Sequence, residues 1–138
     1  MLITKLILPQ QLNKALAQML KHPSADFSVA IKIASPARMA GLNYLAFGKR
    51  EATDVLSFPL YKNLAEIKKT LRREKVFLGD IFICESIAKK QVARLGPSLK
   101  TEIKELAIHG LLHLLGYDHQ NKKQVIKMLK AQRKLFSL

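Results

Sequence analysis

Apolar positions fall into short alternating runs in the first half of the chain and into helical stripes in the second. Residues 2–8 form a compact apolar run that predicts a strand, and Pro9, suited to a first helical turn, predicts a helix to about Lys21. Phe27, Val29, Ile31 and Ile33 alternate with smaller or polar neighbours, so 27–34 reads as a second strand with one face toward a core. Ser35-Pro36 combines an N-cap with a first-turn proline and opens a helix to about Phe47. A third strand spans 54–60, and Pro59, which cannot donate to a ladder, sends its end to a sheet edge. Asn63 with Glu66 has capping-box spacing for a basic helix to about Glu74.

A fourth strand, 77–84, is interrupted by Gly79. The helix over 85–95 stops at Gly96-Pro97, and Ser98 caps the next one. Ile103, Leu106, Ala107, Leu111 and Leu114 give that helix a core-facing stripe, and Gly116 ends it. Asn121 with Gln124 caps a last basic helix. No repeat or linker divides the chain, so 1–138 reads as one domain. The predicted class is α/β (α+β): one mixed four-stranded sheet covered by about five or six helices.

Composition narrows the class of protein. An apolar fraction of 49% over 138 residues is enough for a real core and excludes a disordered chain. A single cysteine, Cys84, cannot form an internal disulfide, which suits a reducing cytoplasm; it reads as a buried strand-end residue. The opening MLITKLILPQ lacks signal-peptide features, and no segment approaches a bilayer span, so a soluble protein with no membrane partner is expected. Charge points to the partner. Twenty-four Lys+Arg against ten Asp+Glu leave +14, the footprint of a protein that meets a polyanion. After Asp118 there is no acid, while Lys122, Lys123, Lys127, Lys130, Arg133 and Lys134 follow. A second cluster is Lys68, Lys69, Arg72, Arg73 and Lys75. The plain alternative is solvated helix faces.

Three of the four histidines lie in one window, 109–119. His109 and His113 sit four apart on a helix and project from one face, a turn apart. Gly116 can turn the chain back so that His119 approaches the same point from outside the helix. Three imidazoles with a fourth position open is the arrangement of a catalytic zinc site. His22 stands apart and reads as structural. The spacing His-x-x-x-His-x-x-Gly-x-x-His is that of metzincin proteases, with one difference: the glutamate that follows their first histidine is Gly110 here. Without that proton carrier, expulsion of an amine loses an essential part. Cleavage of a phosphodiester, whose transition state spreads negative charge over oxygens, suits a cation in a basic cleft.

These residues also carry a family resemblance. The stretch HGLLHLLGYDH (109–119) resembles the signature of the YbeY family of bacterial zinc-dependent endoribonucleases. Leu42-Asn43, Thr53-Asp54-Val55-Leu56-Ser57-Phe58-Pro59 and Leu78-Gly79-Asp80-Ile81 extend the likeness from about 40 to 119, in the expected order. The resemblance implies one zinc ion on His109, His113 and His119. It also implies a role in small-subunit ribosomal RNA 3′-end maturation and ribosome quality control, with ribosomal RNA and the ribosome or its small subunit as partners and no DNA. The family usually places an arginine four residues after the Asn; that position is Phe47 here. Lys49 and Arg50 stand nearby as candidate cations for substrate, with Thr53, Asp54 and Ser57 as polar candidates beside them.

Two carboxylates are candidates for catalytic work. Asp118 sits between Gly116 and His119, and Glu105 lies one turn before His109; as plain alternatives they are a turn residue and an exposed helix residue. Two other functions stay open at this point. One is a zinc peptide hydrolase, weakened by Gly110. The other is an RNA- or ribosome-binding assembly factor with a structural zinc and little activity.

Overall fold

The computed structural model describes residues 3–7, 10–21, 25–70, 75–95 and 98–138. Pro9, His22, Arg72, Arg73, Gly96 and Pro97 lie outside them. The elements follow the predicted order: β1 (Ile3–Ile7), α1 (Gln10–Met19), β2 (Asp26–Ile33), α2 (Pro36–Phe47), β3 (Val55–Pro59), α3 (Leu64–Thr70), β4 (Lys75–Ile83), α4 (Glu85–Leu95), α5 (Leu99–Leu114) and α6 (Lys122–Phe136). The sheet order is β1-β2-β4-β3. β1 runs antiparallel to β2, β2 parallel to β4, and β3 antiparallel to β4, so the sheet is mixed and Pro59 sits on an outer strand.

Local sequence sets the helix starts. Ser35, Asn63, Ser98 and Asn121 each accept, through a side-chain oxygen, the backbone N–H three residues on. That satisfies donors which the first helical turn cannot pair internally. Glu66 and Gln124 return the favour one residue upstream of their caps, accepting from the N–H of Lys62 and of Gln120 rather than of the cap itself.

β4 begins at Lys75, two residues before the predicted start, and is irregular at Gly79. Gly79 has φ +139, and a Cβ there would lie 2.4 Å from the Phe58 carbonyl oxygen. The pairing with β2 slips by one residue at this point, a bulge. Alternation is thereby reset, and Val76, Leu78, Ile81 and Ile83 all enter the same core despite the change of parity. Phe27, Val29, Leu106, Leu111, Leu112 and Leu114 complete this main core. The opposite face carries a smaller cluster in which Met39 of α2 packs with Ala34, Leu56, Phe82 and Cys84. Cys84 is fully buried.

α5 lies across β3 and β4, and Gly110 is what lets it come close. A Cβ at Gly110 would meet Ile81 Cγ2 at 2.7 Å and Ser57 Oγ at 3.1 Å. Ser57 donates to the Gly110 carbonyl at 2.9 Å, tying the outer strand to the helix one residue from His109. Among the described residues no helix is long and apolar enough to cross a membrane.

Candidate metal centre

The end of α5 is built so that two histidines face outward and the chain then returns to them. His109 and His113 lie on the side of α5 opposite the buried Leu111, Leu112 and Leu114 packing, with Nε2 atoms 3.1 Å apart. After Leu114 the N–H of Gly116 donates to the His113 carbonyl and the N–H of Tyr117 to the Leu112 carbonyl. Those are the two bonds of a Schellman turn, and Gly116 supplies its left-handed residue at φ +98. A Cβ on Gly116 would stand 2.7 Å from Asn63 Cα, so the turn also needs glycine for space. The reversal brings His119 over the pair, with its ring centroid 6.2 Å from that of His109 and 5.3 Å from that of His113.

One ligand nitrogen from each ring lies within 4.8 Å of the other two. Two imidazole nitrogens on a tetrahedral zinc, each about 2.0–2.1 Å from it, sit roughly 3.3 Å apart. The His109–His113 pair is already at that spacing, while His119 is exposed, with its Nδ1 3.8 Å from Asp118 Oδ1. The donor chemistry fits as well. The Tyr117 carbonyl can only accept, so His113 Nδ1, 2.9 Å away, carries the proton and Nε2 keeps its lone pair for a metal. Burial holds the pKa of both His109 and His113 below the ordinary histidine value; His119 beside His109, and His109 beside His113, push the same way. Neutral rings are the form that binds a cation. These three residues can hold a metal ion.

Gln132 of α6 shares with His109 a small recess lined by Asp54, Glu102, Glu105 and Leu106, and its side chain partly offsets the downward pull of burial on the His109 pKa. A polar neighbour there can orient a ligand imidazole. Nothing in the local pattern of α6 marks Gln132; only tertiary packing brings it there. Glu105 lies in this recess behind His109. Asp118 faces the cleft in front, and its Oδ1 accepts the His119 N–H at 2.7 Å.

The cleft in front of the histidines has a volume of about 630 Å³. Its far wall is the outer strand and the loop before it, with Thr53, Asp54 and Ser57, and its rim carries Phe47 and Lys62. Thr53 donates to Asp54 Oδ1 and Gln91 to Asp54 Oδ2, both at 3.3 Å, so this carboxylate is held from two sides. Asn43 on α2 is nearly buried and donates to the Glu51 carbonyl at 2.9 Å, which steers the 48–54 segment toward the cleft. Arg50 is turned away: its guanidinium stacks over the Tyr44 ring at 4.3 Å, in a groove along the outside of α2. Lys49 is exposed, and neither it nor Arg50 is among the residues lining the cleft.

Comparison with known proteins now decides the kinship. The Endoribonuclease YbeY family profile matches residues 3–138. The chain belongs to that family. An Endoribonuclease YbeY of Thermobifida fusca is 38% identical over 116 residues, 84% of this chain and 73% of that protein. One from Prochlorococcus marinus is 36% identical over 115 residues, 83% of this chain but 61% of that protein. One from Xanthomonas campestris is 32% identical over 127 residues, covering 91% and 76%. The solution structure of TM1509 from Thermotoga maritima shares the fold, with TM-score 0.54 and 27% identity over 93% of this chain and 78% of that one. Within the YbeY family fold, then, α5 and the turn after it bring the three histidines together, and the outer strand forms the facing wall.

Proposed function

We propose that this protein is a zinc-dependent, single-strand-specific endoribonuclease of the cytoplasm, acting in 3′-end maturation of small-subunit ribosomal RNA and in ribosome quality control. The observation that carries the reading is the convergence of His109, His113 and His119 on one cleft in a family of endoribonucleases. A zinc ion held there supplies a Lewis acid and a water nucleophile usable near neutral pH.

The chain's own residues do the rest. Its charge of +14 draws a polyanion to the surface, with Lys62 at the cleft rim placed to meet a phosphate. Asp118 is the carboxylate on the cleft side of the histidines, and we assign it the proton-accepting role; Glu105, behind His109, acts on orientation instead. Thr53, Asp54 and Ser57 line the strand wall where substrate lies, Ser57 with its hydroxyl proton already given to Gly110. Gly110 speaks against peptide hydrolysis, because the space a glutamate would need is taken by Ile81 and Ser57.

The test is cleavage of a small-subunit ribosomal RNA 3′ fragment by purified protein, as isolated, after chelation, after zinc return, and as Asp118→Asn. Cleavage lost on chelation, restored by zinc and slowed at least tenfold in the variant supports the reading. RNA that binds with steep salt dependence yet stays intact in every sample contradicts it and leaves an assembly factor with a structural metal.

A further inference from the structure

We propose that Phe47 is a stacking platform for an unpaired nucleobase at the mouth of the metal cleft, an inference that rests on the RNA substrate proposed above. Phe47 is the last residue of α2, and its ring is 62% exposed although it borders the same cleft as the three histidines. Its position is fixed by the backbone, since Gly48 follows in the left-handed region at φ 72 and its N–H closes onto the Tyr44 carbonyl at 2.8 Å. Among the described residues no aromatic ring or cation lies against it. The aromatic one turn earlier is different: Tyr44 already has the Arg50 guanidinium across its ring. Of the two rings at this end of α2, only Phe47 offers a free face toward the cleft.

A large apolar ring held in water at the edge of a polar cleft, with Lys62 on the same rim, matches one chemistry well. A nucleobase has an apolar face to cover the ring and a phosphate on either side for cations such as Lys62. Stacking of this kind is indifferent to base identity but demands that the base be unpaired, because a paired base has both faces occupied by its neighbours. Phe47 thereby selects single strands and sets how a strand lies relative to the histidines. It is a positioning and specificity residue; it takes no part in bond breaking.

The chain has no tryptophan, which gives a direct probe. Phe47→Trp places a single indole at the rim, and stacking with a base quenches indole fluorescence. The zinc-loaded variant is titrated with a 2′-O-methyl oligouridylate, with the same backbone carrying no bases, and with inorganic polyphosphate. In parallel, Phe47→Ala and Leu45→Ala are compared with the parent by anisotropy of the labelled oligonucleotide; Leu45 is 83% exposed on α2 and lies outside the cleft. The proposal predicts saturable quenching by the oligouridylate alone. It also predicts binding about 5- to 100-fold weaker for Phe47→Ala, and unchanged for Leu45→Ala. Equal quenching by the base-free backbone or polyphosphate overturns stacking. Binding without quenching, together with an unaffected Phe47→Ala, also overturns it while leaving the RNA substrate intact. Failure of every form to bind RNA overturns both.

Discussion

The two ends that frame the cleft are built in opposite ways. The end of α5 is locked from every side: its turn is closed by two backbone bonds, and Gly110 and Gly116 have neighbours where a Cβ would go. His113 is held by the Tyr117 carbonyl, and His109 has Gln132 beside it. The end of α2 is held by fewer contacts. Gly48 stops the helix, Asn43 anchors the Glu51 carbonyl, and Tyr44, Leu45 and Phe47 stand in solvent. On this contrast, the proposed metal geometry and the proposed strand recognition are separable. One is fixed by packing and tolerates almost no change. The other is an open surface where a residue can be exchanged without touching the fold.

The comparison breaks first at the ligands. His113→Ala removes one of three nitrogens and lowers metal affinity by more than about 100-fold, beyond the effect of residues that only orient ligands. Metal titration by a competing chelator reads this directly. Next is the turn itself. Gly116→Ala forces a Cβ toward Asn63 Cα at a left-handed φ and costs about 2–4 kcal/mol, measured as a shifted denaturation midpoint. Gln132→Leu leaves all three histidines in place but removes the polar neighbour of the His109 ring, and metal affinity is expected to fall about tenfold in the same chelator assay.

The smallest effect lies at the start of α5. Burial, with Glu105 and Asp54 nearby, raises the pKa of Glu102. The folded state therefore holds this proton more tightly than the unfolded chain. Ionised Glu102 costs stability above the raised pKa, and the cost disappears as pH falls through that value to the unfolded one. Glu102 is partly solvated, so the cost is no more than a few tenths of a kcal/mol. Glu102→Gln should raise Tm by about 1 °C at pH 7 and by nothing below about pH 4 in thermal melts.

The locked end was the more legible in sequence for the same physical reason. Helical register places His109 beside His113, and a glycine at 116 permits one kind of turn, so local rules suffice to bring His119 back. Gly79 was visible as an interruption, but its effect on which residues of β4 face the core appears only when β2 pairs with it across the slip. Gln132 stayed hidden because no local pattern records which side chain of α6 reaches α5. The direction of Arg50 was equally illegible: it depends on Tyr44, six residues earlier, offering a ring at the right height. Ser57 reads in sequence as a polar candidate for substrate, yet its hydroxyl bonds a carbonyl 53 positions away.

If His109, His113 and His119 hold the metal as proposed, the rim at Phe47 adds nothing to the site. Native mass spectrometry of zinc-titrated parent, His113→Ala and Phe47→Ala proteins tests it most directly. One zinc per chain is expected in the parent and in Phe47→Ala, and none in His113→Ala. A parent that stays metal-free, or a His113→Ala protein that keeps its zinc, would contradict it.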